Sequence, residues 1–279
     1  MDNLLEGMVD MICGANLFSD IYDTLSVNLF SSGGAFGAAY SVVRAIYNSV
    51  MSIGVMLLFV YFTLSLVDKM SSDSFTWEQL WRQLAWLLAG KYVMENGFEI
   101  LELLFNIGMA VAARISALGD PMVTETAIDA AAAIEELTES FNGFFAVLGK
   151  LIAMVILLFP WLLAWVMKLA VNVICYSRVI EIYARVTLAP VALSDLFRSG
   201  VQGAGWRYLK SFLAVALQGA LILIIGIVYS AVLSSVTINQ EPGWWSLLAL
   251  IGKYLVIYAS AVMLMFKSQS LAKELVGVN

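Results

Sequence analysis

The stretch AIYNSVMSIGVMLLFVYFTLSLV, residues Ala45–Val67, decides the class of fold. Its 23 residues carry no charge, and Arg44 and Asp68 bound it on either side. An apolar helix of about 20 residues crosses the roughly 30 Å hydrocarbon core of a bilayer. The stretch therefore predicts a transmembrane helix, and with it a membrane protein.

The composition extends this prediction to the whole chain. Of the 279 residues, 61% are hydrophobic and 13% are charged, and the mean hydropathy is +0.88. Soluble chains average about 45–50% apolar and about 25% charged residues. A soluble domain of this length has too little interior to remove so much apolar surface from water. Lipid is the solvent that this composition fits.

Four further stretches predict membrane spans. They are a part of Trp77–Leu118, Leu151–Met167, Ser211–Val236 and Trp245–Phe266. We expect an all-α polytopic membrane protein with about five transmembrane helices, together with extracytoplasmic and interfacial amphipathic helices. Two helices, Trp77–Leu118 and Phe145–Val186, would be over-long for a bilayer, so each must project, tilt or break. Gly90 and Asn96-Gly97 in the first and Pro160 in the second mark points where bending is expected.

The basic residues fall on alternate connections, which predicts the orientation. Residues 1–43 and 118–146 contain acids but no Lys or Arg, whereas the connections at 68–82 and 185–210 and the tail contain the Lys and Arg residues. Cytoplasmic connections carry the excess of Lys and Arg. We expect the chain to start outside, to cross five times and to end in the cytoplasm, with residue 130 outside and residue 205 inside. The first residues are acidic where a targeting segment is basic, so we expect insertion to rely on the first span.

These features divide the chain into five predicted regions. They are an extracytoplasmic N-terminal helical region (1–43), the first two spans (44–117), an acidic extracytoplasmic loop (118–146), the third span with a cytoplasmic elbow (147–210), and the last two spans with a short cytoplasmic tail (211–279). Within the loop, the Ala-rich acidic segment Thr124–Ser140 predicts a short amphipathic helix. The spacing of Thr76 and Gln79 predicts a capping box that starts the next helix.

The side chains present exclude several classes of function. The chain has no histidine, which removes Ser-His-Asp catalysis, imidazole metal sites and histidine proton relays. The two cysteines, Cys13 and Cys175, are 162 positions apart and form no ligand cluster. The net charge of −6 disfavours a protein that follows nucleic-acid phosphates with a basic face. We therefore expect no enzyme, no metal site and no cofactor.

Charges inside the apolar helices form two helical stripes. The predicted buried-charge network or interface comprises Lys91, Glu95, Glu99 and Glu102 on one stripe, Lys168, then Arg178, Glu181 and Arg185 on the second stripe, and Lys253. If the two long helices pair as an antiparallel hairpin and their extracytoplasmic ends lie at the same height, Lys168 is placed beside Glu95 or Glu99. The same register would place Glu181 and Arg185 beside Arg82 and Glu78. A lone charge at the bilayer centre costs at least about 2.5–3.5 kcal/mol, so these residues need partners or water. Structural ion pairs, the lining of a conduction path or subunit interface, and a proton relay are the three interpretations.

The stretch after Arg185 predicts an elbow on the cytoplasmic side. Its apolar run is too short to span, and we expect Pro190 to break the helix so that the run dips into the cytoplasmic leaflet. A Gly-rich segment then leads to a basic aromatic helix at the membrane surface. The elbow is either a simple turn between two spans or a docking surface for a cytoplasmic partner. Its residues are Pro190, Phe197, Arg198, Gly205, Trp206, Arg207 and Lys210.

The run Ala184–Pro190 (ARVTLAP), followed by Phe197 and by Gly205-Trp206 before an apolar helix, resembles the TrbL-type polytopic subunit of conjugative type IV secretion systems. The likeness is to the compact versions carried by conjugative elements of Gram-positive bacteria. The resemblance implies a ring, typically of five copies, in the bacterial cytoplasmic membrane at the base of the secretion channel. It also implies a role in channel or pilus assembly and in passage of a DNA–protein substrate. The partners it implies are membrane-associated ATPases and pilin-like or extracytoplasmic subunits.

The function that we expect is therefore a channel or scaffold subunit of a conjugative secretion system. Over-long helices and acidic outer segments favour a cyclic homo-oligomer, in which ordered phospholipid would fill gaps between tilted helices. The alternative is a small-solute channel or an ion-coupled transporter that uses the buried carboxylates. The chain shows no internal repeat, which disfavours a transporter because transporters usually have paired halves. Small residues such as Gly219 and Gly226 predict close helix packing in the fourth span.

Overall fold

The computed structural model describes residues 7–8, 11, 21–22, 24–25, 27–71, 76–123, 144–196, 203–235 and 244–277. Within these ranges lie six bounded helices and no strand: α1 (Gly37–Met70), α2 (Trp77–Glu95), α3 (Gly97–Val123), α4 (Phe144–Leu193), α5 (Ala204–Ser234) and α6 (Trp244–Val276). The predicted all-α fold is confirmed. The amphipathic helix predicted at Thr124–Ser140 lies outside the described residues.

Five stretches of helix are long and apolar enough to cross a membrane. They are Gly37–Met70, Gly97–Ala117, Leu157–Leu193, Ala204–Val232 and Ile251–Val276. The predicted number of spans is confirmed, and the chain is a multi-pass membrane protein. The helix of 19 residues that precedes the second span, α2, is not among the five stretches and carries two acid–base pairs instead.

The first over-long helix is interrupted at Asn96, between α2 and α3, at a point where bending was predicted. Asn96 leaves helical geometry with φ −99° and ψ 10°, and its Nδ2 donates to the carbonyl of Tyr92 at 2.9 Å. Glycine is required next, because a Cβ on Gly97 would lie 2.5 Å from the Tyr47 hydroxyl oxygen. That hydroxyl donates to the carbonyl of Met94 at 2.9 Å, which satisfies an acceptor at the end of α2.

The second over-long helix is continuous. α4 contains 50 residues, which corresponds to about 75 Å, and it runs through both Pro160 and Pro190. The predicted break at Pro190 is wrong, and the apolar run forms no re-entrant loop, because the helix continues to Leu193. Proline gives up only its own N–H bond here. The last turn persists because the Ser194 N–H donates to the Pro190 carbonyl at 3.2 Å. Gly54 of α1 also packs against this carbonyl, so closely that a Cβ would lie 2.7 Å from its oxygen.

The start of α2 lies where the spacing of Thr76 and Gln79 predicted it. Thr76 is the N-cap residue, with extended φ −117° and ψ 153°, and its carbonyl accepts from the N–H groups of Gln79 and Leu80. Its side chain makes no capping hydrogen bond. The predicted helix start is confirmed, whereas the predicted capping box does not form.

The helices contribute to two compact units, each with its own apolar core. The first unit comprises Met1–Ser26, Ala112–Tyr176 and Ala220–Ser268, and its core includes Leu157, Ala164, Ile222, Tyr254 and Tyr258. The second unit comprises Val27–Val111, Ser177–Gly219 and Gln269–Asn279, and its core includes Tyr47, Leu101, Phe105, Ile182 and Phe212. The charged stripe that begins at Arg178 belongs to the second unit.

An aromatic cluster in the second unit fixes the start of α3 against α1. The ring of Phe98 packs edge-to-face on the rings of Tyr40 and Tyr47, with centroids 5.8 and 5.4 Å apart. The guanidinium of Arg44 lies 5.6 Å from the centroid of the same Phe98 ring, and its Nη1 donates to the Tyr40 hydroxyl at 2.9 Å. Aromatic partners therefore hold the cation at the start of the first span.

Candidate functional site

Arg178 begins the charged stripe of α4 and is buried, with 3% of the residue exposed. Its Nε donates to the carbonyl of Val215 at 3.3 Å, and its Nη2 donates to the carbonyl of Ala216 at 3.1 Å. Both acceptors belong to α5. Backbone carbonyls are among the few acceptors that apolar membrane helices can offer a buried charge. The guanidinium thus joins α4 to α5 through main-chain oxygen atoms.

Two glycines make room for this contact. A Cβ on Gly219 would lie 2.5–2.7 Å from the guanidinium atoms of Arg178. A Cβ on Gly108 of α3 would lie 2.5 Å from the carbonyl oxygen of Ala216, which is the oxygen that accepts from Arg178. Three helices therefore cross at one carbonyl. We refer to Gly108, Arg178, Ala216 and Gly219 as the arginine crossing. The close packing predicted from Gly219 is confirmed.

Further along the same stripe, Glu181 and Arg185 form a second polar group. The Nη2 of Arg185 lies 2.5 Å from Oε1 of Glu181, and the two side chains are 19% and 27% exposed. The Nη1 of Arg185 donates to the carbonyl and the hydroxyl of Ser211 in α5, at 3.0 and 2.6 Å. Gln269 of α6 donates to Oε1 of Glu181 at 2.6 Å, and the Tyr208 hydroxyl donates to the Arg185 carbonyl. We refer to these five residues as the polar cluster.

The stripe of α4 therefore faces α5 and α6, and its pairing differs from the predicted one. The hairpin register set Glu181 and Arg185 beside Arg82 and Glu78. In the structure Glu78 and Arg82 pair with each other on α2, 3.6 Å apart, and Glu181 pairs with Arg185 on α4. Both pairs have i, i+4 spacing, which satisfies the charges within one helix and needs no particular register.

The other predicted stripe lies on the surface of the chain. Lys91 and Glu95 pair at 3.6 Å, and their side chains are 55% and 46% exposed. Glu99 is exposed and Glu102 is half-buried, and within the described residues neither forms an ion pair. Lys168 is half-buried in α4. Its pairing with Glu95 or Glu99 stays a prediction.

The acidic stripe continues into a polar face on α3. Glu99, Glu102, Asn106 and Arg114 fall within roughly 120° of arc at about 100° per residue. Three of these side chains are exposed, and the half-buried Glu102 is the exception. Yet all four belong to the candidate span Gly97–Ala117. Charged side chains in membrane spans almost always face protein or water rather than lipid. The polar face of α3 therefore needs a polar neighbour.

The first turn of α5 is anchored against the end of α4, and we call this region the α4–α5 corner. The N–H of Ala204 donates to Oδ2 of Asp195 at 3.0 Å. Gly205 is buried, and a Cβ there would lie 2.9 Å from the Cα of Leu196. The carboxylate that accepts from the start of α5 thus comes from the end of α4, and the close approach leaves no room for a side chain in the first turn of α5. The corner is therefore a packed junction between two helices.

Three side chains of the corner lie on its outer surface. Trp206 and Arg207 are exposed, and Lys210 is half-buried. The separate surface helix predicted for this basic aromatic stretch is wrong, because α5 starts at Ala204 and continues to Ser234. Pro190 is buried within α4. The remaining elbow residues, Phe197 and Arg198, lie outside the described residues.

Lys253, the last charge of the predicted network, lies apart from the groups described above. Lys253 is exposed on α6 beside an apolar crevice formed by Gly252, Val256 and Ile257. In the part of the chain that the structure describes, no group of three or more Cys, Asp or Glu residues could hold a metal ion.

The fold and these sites define the class: an all-α, multi-pass membrane protein with charged and polar groups on its spans. Over residues 32–190, the chain matches the family described as TrbL/VirB6 plasmid conjugal transfer like protein. The match covers more than half of the chain, and the chain belongs to this family. The resemblance to a TrbL-type subunit that the sequence predicted is thereby confirmed. No curated protein and no solved structure matches the chain.

The substitution Gly108→Ala tests the arginine crossing. The new methyl group would meet the backbone of Ala216, which cannot move aside as a flexible side chain can. We expect a loss of about 1–3 kcal/mol of stability, typical of overpacking, seen as a lower midpoint of thermal unfolding in detergent. Gly252→Ala is the matched control, since nothing lies within 4 Å of a Cβ there. Equal midpoints for the two variants would contradict the crossing.

The substitution Arg185→Leu tests the polar cluster. It leaves the Glu181 carboxylate without its cation, and we expect a loss of about 1–3 kcal/mol in the same thermal unfolding measurement. Adding Glu181→Leu should restore part of that loss, because both charges are then absent. Arg82→Leu breaks a salt bridge whose side chains are 64% and 84% exposed, so its effect should stay below about 1 kcal/mol. If Arg82→Leu lowers the stability as much as Arg185→Leu does, burial of the pair in the polar cluster contributes nothing to stability.

Proposed function

We propose that this chain is a channel or scaffold subunit of a conjugative type IV secretion system, and that it assembles as a ring in the bacterial cytoplasmic membrane. Membership of the conjugal transfer family supports the first part of the proposal. The resemblance noted in the sequence supplies a copy number of five. On this proposal the chain is not an enzyme and needs no cofactor. It supports channel or pilus assembly and the transfer of a DNA–protein substrate.

The polar face of α3 is the observation on which the proposal of a ring of several copies rests. It lies on a candidate membrane span, and Glu99, Asn106 and Arg114 are exposed there. Glu99 and Arg114 lie near the two ends of this span, whereas the Asn106 amide lies near its middle, where lipid offers no hydrogen-bond partner. A neighbouring copy or a water-filled lumen supplies the polar surroundings that lipid lacks. Head-to-tail contacts between copies close into rings when the rotation permits.

The distribution of basic residues supports an orientation, and the family resemblance supplies the expected partners. We place the N-terminal side of α1 outside and the end of α6 in the cytoplasm, since Lys and Arg are concentrated on cytoplasmic connections. The α4–α5 corner then lies on the cytoplasmic side, where membrane-associated ATPases of the secretion system are the expected partners. Pilin-like or extracytoplasmic subunits would meet the acidic outer segments.

The alternative function, a solute channel or an ion-coupled transporter, required buried carboxylates. Glu95 and Glu99 are exposed, and Glu102 is half-buried. Glu181 is held by Arg185 and Gln269. In the two described stripes, no carboxylate is therefore both fully buried and available to carry an ion. This favours the secretion subunit over the transporter.

The mass of the assembly tests the ring. Purified protein in nanodiscs should give five copies of the 30.5-kDa chain, about 150 kDa of protein, by native mass spectrometry or mass photometry. Replacing the polar face of α3 with leucine, as Asn106→Leu with Arg114→Leu, should lower the fraction of rings and the frequency of plasmid transfer.

The exposed Ser52 of α1 provides the control for this experiment. Ser52→Leu adds a similar apolar side chain at an exposed position outside the polar face of α3, so on this proposal the ring fraction should not change. A protein that stays monomeric at high concentration would overturn the ring. If the α3 substitutions leave the fraction of rings unchanged, another surface makes the contact between copies.

A further inference from the structure

We propose that the outer face of the α4–α5 corner is a binding site for an acidic phospholipid. In this site Arg207 and Lys210 bind the headgroup phosphate, and Trp206 lies at the boundary between headgroup and acyl chain. The inference requires that α5 enters the membrane at this end, and it does not depend on a ring.

The two sides of the first turns of α5 have different roles. Trp206, Arg207 and Lys210 fall within roughly 100° of arc at about 100° per residue. Tyr208, roughly 150° around the helix from the middle of this arc, and Ser211, roughly 90° from it, contact Arg185 of the polar cluster. The helix is therefore fixed in rotation by its inner contacts, and the indole and the two cations are directed to the outer side.

This face is preorganised. The hydrogen bond from Ala204 to Asp195, the close approach of Gly205 to Leu196 and the bond from Tyr208 to the Arg185 carbonyl hold the turn against α4. Binding at this site would order only the long side chains and no backbone segment. Preorganisation of this kind lowers the entropic cost of binding.

The chemistry of the face matches an anionic headgroup at the end of a span. Within the described residues, Arg207 and Lys210 form no ion pair, and both cations can donate charge-assisted hydrogen bonds to a phosphate. The candidate span begins at Ala204, so these residues lie within its first two turns. Tryptophan is enriched at the level of the headgroups, and basic residues near the end of a span attract anionic lipid.

An acidic segment of a protein partner is the competing occupant. The two cations would attract such a segment as well, so the depth of the face at the start of a span and its aromatic side chain decide between the two occupants. Trp206 also favours lipid, because an indole has one apolar side for acyl chains and one polar N–H for the headgroup region. The position and the aromatic side chain together select the phospholipid.

Native mass spectrometry of the full-length protein in detergent tests the site, with phosphatidylglycerol or phosphatidylcholine added at equal concentrations. Wild-type protein should retain phosphatidylglycerol in preference to phosphatidylcholine. Arg207→Gln with Lys210→Gln should weaken apparent phosphatidylglycerol binding about tenfold, and each single variant about threefold. The charge-preserving pair Arg207→Lys and Lys210→Arg should keep most of the binding.

The control replaces two exposed cations of α2, Arg82 and Lys91, with Gln; because each is already paired with a glutamate, this variant should bind phosphatidylglycerol as the wild type does. Thermal unfolding without added lipid checks that the double variant is folded, and the single variants provide the test if it is not. Equal retention of the two lipids, or unchanged binding by the Arg207 and Lys210 variants, would overturn the proposal. Unchanged lipid binding with loss of plasmid transfer would assign the corner to a protein partner instead.

Discussion

A charge among apolar membrane helices must find its partners within the protein, because neither lipid nor apolar side chains can accept its hydrogen bonds. Arg178 meets this requirement by donating to the carbonyl oxygens of Val215 and Ala216. The need for Gly108 and Gly219 follows, since a Cβ at either position would enter the same crossing. The packing of α3, α4 and α5 around this point depends on one guanidinium.

The same requirement accounts for the polar cluster and for what lies outside it. Arg185 pairs with the Glu181 carboxylate and also donates to Ser211. Gln269 of α6 donates to the same carboxylate. The exposed polar groups are of two kinds. Asn106 of the polar face of α3 lies near the middle of a span and needs a partner from protein or water, whereas the cations of the α4–α5 corner lie at the start of a span, where headgroups are found.

Much of the fold could be predicted from periodicity, because helices and spans are local features. The apolar runs predicted five spans, Asn96-Gly97 marked the interruption, and the spacing of Arg178, Glu181 and Arg185 placed them on one stripe. The partners of that stripe could not be predicted, since Ser211 and Gln269 are ordinary polar residues until the helices cross. The prediction at Pro190 failed because a proline removes one hydrogen bond, and the Ser194 N–H and the packing of Gly54 retain the turn.

The α4–α5 corner and the loop before α4 lie on opposite sides of the membrane in the proposed orientation, since one span separates them. Labelling of single cysteines in intact cells with an impermeant maleimide tests this directly, using Ala130→Cys and the exposed Ala204→Cys. Cys13 is replaced first, and Cys175 is buried. We expect residue 130 to react in intact cells and residue 204 to react only after lysis. Protection at 130 together with labelling at 204 in intact cells would contradict the account.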